Sequence, residues 1–205
     1  MKRIYDTSMP AHSSLKFARL QGFTAIELLV TMTIIAVLAA LAAPSFTPII
    51  ERWRVRDATE SITSGLYFAR SEAIRLGGNI VIAKKSSDSG CTSSGNTDWS
   101  CGWHVFYDTN NNGTQDTCNT ASTPNECDLK TSSSPSQVSI TLTGSTGLIA
   151  INRWGMLANT VNATAPSSMD FLITPQGKGS TASSSARLCA GTGGRIAQKK
   201  GSDTC

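Results

Sequence analysis

Residues 23–43 form an almost uninterrupted apolar run near the N-terminus of this 205-residue chain. At about 1.5 Å per residue, a helix of this length would cross a hydrocarbon core of about 30 Å. Residues 1–22 carry four Lys or Arg side chains against one acid, and a positive flank of this kind stays on the cytoplasmic side. The sequence therefore predicts a single-pass helix with the remainder of the chain exported.

The carboxylate of Glu27 lies within this apolar run. A charge inside a membrane helix costs about 2.5–3.5 kcal/mol on insertion scales and usually marks a partner or a function. A secretory signal peptide is the alternative interpretation, because Ala40-Leu41-Ala42 resembles a small-residue cleavage site. The long polar lead and Glu27 are atypical of such a signal.

The segment Gly22-Phe-Thr-Ala-Ile-Glu27 resembles the prepilin processing site of type IV pilins and type II secretion pseudopilins. This resemblance implies that residues 1–22 are a leader peptide, which a prepilin peptidase of the inner membrane removes after Gly22. It also implies that the new N-terminus, Phe23, is methylated and that Glu27 directs assembly with other pilins or pseudopilins. Cleavage would create an amine, the cation that a carboxylate needs in a low-dielectric setting.

A second helical pattern follows Pro44 and Pro48, two residues that favour an end or a bend of the first helix. Apolar residues recur here mostly every three or four positions and basic residues largely surround them, which is typical of an amphipathic helix. The predicted apolar stripe consists of Ile50, Trp53, Ile62, Leu66, Ala69, Ala73 and Leu76. We therefore expect a transmembrane and assembly half over residues 23–48 and an amphipathic half over residues 49–77, ending at the glycine pair 77–78.

The run Leu66-Tyr-Phe-Ala-Arg-Ser-Glu-Ala-Ile-Arg75 resembles the segment that marks the GspH/FimT branch of pilin-like proteins. Later stretches around Trp154-Gly155, residues 171–177, Cys189 and Gly194-Arg195 are similar to the same branch. The resemblance implies a type IV pilin-like α+β fold, with a long N-terminal helix packed on antiparallel β-sheet. It further implies a minor type IV pilin that primes assembly or sits at the pilus tip, with a minor pseudopilin of type II secretion as the alternative.

From residue 78 onward the pattern changes to short apolar runs bounded by turn residues, which predicts a β-rich exported domain over residues 78–205. The predicted strands cover residues 79–84, 102–107, 138–143, 148–153, 169–174, 186–190 and 195–199.

The six cysteines all lie at position 91 or beyond, which indicates an oxidising compartment outside the cytoplasm. Six cysteines allow 15 connectivities, and pairing of nearest neighbours gives Cys91–Cys101, Cys118–Cys127 and Cys189–Cys205. Zinc binding is the rival interpretation. It is disfavoured because the sequence has no Cys-x-x-Cys and only His104 follows the leader.

Asp108, Asn110, Asn112 and Gly113 match the first half of a calcium loop, in which oxygen ligands at positions 1, 3 and 5 precede a glycine. Position twelve is Asn119, so the usual bidentate glutamate is missing. A polar hairpin loop is the simpler interpretation, because Asn-Gly favours turns with positive φ.

The sequence offers no constellation for catalysis. His12 lies in the leader and His104 stands alone, so no Ser-His-Asp or Cys-His arrangement can be assembled, and phosphate-binding and dinucleotide motifs are absent. The sequence therefore predicts a structural or binding protein without a cofactor rather than an enzyme.

The C-terminal region is locally basic. The whole chain has a net charge of +4, but removal of residues 1–22 leaves 14 basic and 13 acidic residues, so only a local patch can favour nucleic acid. Residues 178–205 have one acid, Asp203, against Lys178, Arg187, Arg195, Lys199 and Lys200. Some FimT-type proteins resemble this region and bind DNA through a Gly-Arg-x-Arg motif. The second arginine is replaced here by Ala197, and a DNA-binding competence pilin is a further hypothesis.

Overall fold

The computed structural model describes residues 22–118 and 126–205, without the side chains of residues 41–45. One long helix, α1 (Ala25–Leu76), opens this part of the chain. The predicted leader lies outside the described residues except for Gly22. The helix continues through Pro44 and Pro48, so neither proline ends it. The boundary between two compact units nevertheless falls between Pro44 and Ser45.

The helix ends where the glycine pair predicts. Gly77 and Gly78 have φ angles of 85° and 113°, in the range that only glycine adopts freely. The Gly78 amide donates to the carbonyl of Ala73 over 2.8 Å, which satisfies one of the last helical carbonyls.

Three antiparallel sheets follow the helix. The strands are β1 (Ile80–Lys84), β2 (Ser87–Asp88), β3 (Cys91–Thr92), β4 (Trp103–Tyr107), β5 (Asp128–Ser132), β6 (Val138–Leu142), β7 (Leu148–Ile151), β8 (Leu157–Ala158), β9 (Met169–Pro175), β10 (Ala186–Ala190) and β11 (Ile196–Lys200). The five-stranded sheet has the order β5-β4-β1-β7-β8, the four-stranded sheet has the order β11-β10-β9-β6, and β2 and β3 form a small ribbon.

All seven predicted strands are present, with ends that differ by no more than two residues. Sequence patterning missed β5, whose residues Asp-Leu-Lys-Thr-Ser lack a buried face. It pairs with β4 through backbone hydrogen bonds. Patterning also missed β2, β3 and β8, which are two residues long.

One face of α1 and the inner faces of both large sheets form the core. The helix contributes Val55, Ala58, Ile62, Leu66, Ala69 and Ala73, which recur every three or four residues. The prediction was wrong for Ile50 and Trp53, which are 46% and 66% exposed. The buried face begins later than the sequence pattern suggested, at Val55.

A close helix–sheet contact is made possible by Gly65. The ring of buried Trp103 lies directly over this position, so a Cβ there would come within 2.5 Å of the ring. The α+β class and the packing of helix on antiparallel sheet are confirmed.

Candidate functional site

The predicted processing site lies just before the helix. Gly22, Phe23 and Thr24 are outside the helix, and the side chain of Phe23 is 87% exposed. The amide and the hydroxyl of Thr24 each donate to Glu27 Oε2 over 2.8 Å, and the Glu27 amide donates back to the Thr24 hydroxyl over 3.3 Å. This reciprocal pattern is a capping box, and the Thr-x-x-Glu spacing in the sequence could have predicted it.

The first part of α1 exposes large apolar side chains in every direction. They include Ile26, Leu28, Leu29, Val30, Met32, Ile34, Ile35, Val37 and Leu38, and Phe23 just before the helix is exposed as well. A helix that is apolar all round is typical of one that other chains or lipid surround. Within the part of the chain that the structure describes, no helix has the length and apolarity required to cross a membrane.

Within the second compact unit, α1 also has exposed large apolar side chains, namely Phe46, Ile49, Ile50 and Trp53. Arg52 and Arg56 line the same shallow depression as Ile49 and Trp53. This segment, which the sequence pattern assigned partly to the core, presents both apolar area and positive charge to its surroundings.

The structure joins the six cysteines in the three pairs that nearest-neighbour pairing gives. Cys91–Cys101, Cys118–Cys127 and Cys189–Cys205 have Cα–Cα separations of 5.4, 4.5 and 5.5 Å, within the usual range for a disulfide. The last pair anchors the C-terminal residue to β10.

The loop that resembles a calcium site is closed by its own hydrogen bonds. The fully buried carboxylate of Asp108 accepts from the amides of Asn112 (3.1 Å) and Gly113 (2.8 Å), which fixes the turn. Asn110 Oδ1 also accepts from the Asn112 amide over 3.1 Å. Position twelve of the motif, Asn119, lies outside the described residues. Among the residues described, no group of three or more His, Cys, Asp or Glu side chains is arranged to hold a metal ion.

A second buried carboxylate, Glu126, supports this loop, and no motif in the sequence singles it out. Glu126 Oε1 accepts from the amide and hydroxyl of Thr109, and Oε2 accepts from the amide of Asp116. Burial raises the pKa of Glu126, but these hydrogen bonds outweigh it, so the pKa lies below its ordinary value.

His104 has a partner that the sequence did not reveal. Its Nδ1 lies 2.8 Å from Asp128 Oδ1, and its ring packs against Phe106. Gln115 Nε2 also donates to Asp128 Oδ1, over 2.8 Å. Because His104 is on β4 and Asp128 is on β5, this contact links the two strands.

Two of the five basic residues of the C-terminal region are ion-paired. Lys178 Nζ lies 2.6 Å from Glu51 Oε1, and this hydrogen bond lowers the pKa of Glu51. Arg187 Nη1 lies 2.7 Å from Asp170 Oδ2. Both cations are therefore already neutralised.

The other three basic residues are at or beside the edge strand β11. Lys199 donates to the carbonyl of Thr204 over 2.7 Å. Arg195 and Lys200 make no ion pair with the acids of the described residues. Lys199 and Lys200 are neighbours on a strand, so their side chains lie on opposite faces.

Gly194 is in close contact with the side chain of Arg70. Arg70 Nε donates to the carbonyl of Gly155 over 2.8 Å, and its Nη1 donates to the carbonyl of Gly194 over 2.6 Å. A side chain at Gly194 would collide with this guanidinium. Arg70 thus ties the helix to two loops of the sheet region.

Comparisons with known proteins agree with this architecture. The profile of the GspH family, described as "Type II transport protein GspH", matches residues 58–199. A search of curated protein sequences finds no match. The crystal structure of the type IV minor pilin FimU from Pseudomonas aeruginosa, in one crystal form, aligns with a TM-score of 0.51 and 19% identity over 74% of this chain and 92% of that one.

A second crystal form of FimU aligns with a TM-score of 0.48 and 19% identity, over 72% of this chain and 94% of that one. The minor pseudopilin EpsH from the type 2 secretion system of Vibrio cholerae aligns with a TM-score of 0.43 and 14% identity, over 73% of this chain and 99% of that one. The likeness to FimU shows the fold, and the family match covers more than half of the chain, including α1 from Ala58 and most of the sheet region. This chain therefore belongs to the GspH family of type II transport proteins.

Proposed function

We propose that the chain is a minor type IV pilin that is cut after Gly22, methylated on Phe23 and assembled through its N-terminal helix. In this proposal, residues 23–48 anchor the precursor in the inner membrane and residues 78–205 fold in the periplasm. After cleavage, other major and minor pilins replace the lipid around the helix. Its role in the pilus is to prime assembly or occupy the tip.

The observation that carries this proposal is the apolar surface of residues 23–38, which comprise Phe23, Thr24 and the first part of α1. Ten large apolar side chains between Phe23 and Leu38 are exposed. At about 25 cal/mol for each Å² removed from water, such a surface favours association strongly. Lipid and neighbouring helices of the same kind are both suitable surroundings.

The capping box supports a role for Glu27 in assembly. Thr24 occupies only Oε2 of the carboxylate, and Oε1 has no hydrogen-bond partner within the described residues. The amine of a neighbouring processed subunit can bind there, because the attraction between an ammonium and a carboxylate strengthens greatly once both leave water. The short hydrogen bonds from Thr24 also keep the carboxylate at the start of the helix.

The test of the proposal is a pair of substitutions followed by pilus preparation. A Cβ at Gly22 would meet no atom of this chain within 4 Å, so a valine side chain there would project into open space. Gly22→Val should therefore leave the precursor unprocessed, because that side chain would obstruct binding of the peptidase. Glu27→Gln should permit processing but reduce the amount of the protein in sheared pili. Normal pilus content in the Glu27→Gln variant would contradict the assembly role.

A minor pseudopilin of type II secretion is the second candidate, supported by the description of the matching family. The same helix and processing would serve either machine. Deletion of the coding sequence separates the two: loss of surface pili with normal secretion supports the pilin, and accumulation of secreted enzymes in the periplasm supports the pseudopilin.

A DNA-binding competence pilin is the third candidate, supported by Arg195 and Lys200, which no acid of the described residues neutralises. The processed chain in detergent should be titrated with duplex DNA across a salt series. For a DNA-binding protein, affinity falls as salt rises and is lost in an Arg195→Ala/Lys199→Ala/Lys200→Ala variant. A variant with alanine at Arg52, Arg54 and Arg56 removes the same charge elsewhere and is the matched control.

A further inference from the structure

A groove of about 510 Å³ lies beside the hairpin of β7 and β8, within the second compact unit. Its lining includes Trp154, Met156 and Ala158 from the hairpin and Val161 and Pro166 from the loop that follows. The volume is within the range of small-molecule sites.

The most exposed large apolar side chain of the groove is an aromatic one. Trp154 is 62% exposed, whereas Trp99 and Trp103 are buried in the core. The guanidinium of Arg153 lies 4.4 Å from the centroid of the Trp154 ring and covers one face of it. This stacking holds the indole in place and leaves the remainder of the ring available to a ligand.

The polar groups of the groove are neutral. Among the described residues that line it, none carries a formal charge, and the hydrogen-bonding side chains are those of Asn, Thr and Trp154. Asn111 and Asn162 bond to each other. The side chains of Asn79, Thr160 and Thr164 have no hydrogen-bond partner in the described part of the chain. They are therefore free to bind a ligand without first breaking an internal bond.

We infer that this groove binds a neutral saccharide. A pyranose ring presents an apolar face of C–H groups, which suits the negative face of an indole, and a rim of hydroxyls, which suits amide and hydroxyl side chains. The lining residues carry no formal charge, which suits a neutral ligand. The assignment is independent of how the chain is processed or assembled.

The test is titration of the processed chain, kept in a phosphocholine detergent that carries no sugar, with N-acetylglucosamine tetramer, cellotetraose and maltotetraose. Calorimetry and tryptophan fluorescence should show saturable binding of at least one of them with a Kd near or below about 1 mM, when titrated to about 10 mM. No saturable binding of any of the three would overturn the inference.

Variants distinguish the groove from other surfaces. Trp154→Ala should weaken binding at least tenfold, whereas Trp53→Ala removes an equally exposed indole from α1 and should leave the affinity unchanged. Thr160→Val with Thr164→Val keeps the shape, removes both hydroxyls, and should weaken binding at least threefold. Unchanged binding in Trp154→Ala, or equal loss in Trp154→Ala and Trp53→Ala, would contradict the assignment. Far-ultraviolet circular dichroism should be the same for the parent chain and all three variants, which separates lost recognition from lost folding.

Discussion

Replacement of Gly65 by alanine is expected to destabilise the protein, although alanine is the better helix former. The new Cβ would lie 2.5 Å from Cη2 and 2.7 Å from Cζ2 of Trp103. Carbon atoms pack best at about 3.5–4.0 Å, so the ring would have to move by about 1 Å. Trp103 is only 3% exposed, so its neighbours in the core resist that movement.

Two opposing effects set the magnitude. Overpacking of a close-packed core costs about 1–3 kcal/mol, whereas Gly to Ala in a helix gains about 0.8–1.0 kcal/mol. The steric cost exceeds the gain, and the net loss of unfolding free energy should be about 1 kcal/mol. For a chain of this length, a loss of that size lowers Tm by about 2–4 °C.

The assay is denaturant unfolding with the disulfides intact, followed by tryptophan fluorescence. Ser71→Ala, on the exposed part of the same helix, is the control for helix propensity and should be neutral or slightly stabilising. In the Trp103→Phe background the smaller ring leaves room for the new methyl group, so Gly65→Ala should then cost less. A stabilising Gly65→Ala, or the same cost in both backgrounds, would refute the steric explanation.

Three other changes test further contacts. Gly194→Ala should lower the unfolding free energy by about 1–3 kcal/mol in thermal melts, because the site has a φ of 79° and faces Arg70; an unchanged melt would contradict this. Because the pKa of Glu126 is lowered on folding, its stabilisation is present above its unfolded value of 4.5 and is lost as pH falls through the folded value. Glu126→Gln should therefore lower Tm at neutral pH and progressively less below pH 4.5, and a difference independent of pH would count against the hydrogen-bonded carboxylate. Replacing Cys189 and Cys205 by serine opens a loop with a separation of 16 residues and should cost about 3 kcal/mol in denaturant melts; equal stability would show that the bridge constrains little.

The elements of this fold were predictable where apolar residues follow a regular period. Seven strands and the C-terminal end of α1 follow from their own patterns, because burial on one face leaves a visible period. Strand β5 has no such apolar period, because it joins the edge of the sheet through backbone hydrogen bonds. Trp53 was misplaced because sequence alone does not show where along a continuous apolar helix the sheet begins to cover it.

The candidate site residues were likewise predictable only where they form a local sequence motif. Gly22, Phe23 and Glu27 form a local motif, so the sequence identifies them as candidates. The partners of Lys178 and Arg187 are 127 and 17 positions away, so only the fold reveals that Glu51 and Asp170 neutralise part of the apparent basic patch. Arg70 is a comparable case, because its two carbonyl acceptors are 85 and 124 positions away.

The most direct test of the account is mass spectrometry of the N-terminal peptide of the protein recovered from sheared pili. A minor pilin processed as proposed should begin at Phe23 and carry one methyl group on its amine, with Glu27 as its fifth residue. A chain that retains Gly22, or one that begins near Pro44 as a cleaved signal peptide would leave it, would contradict the account.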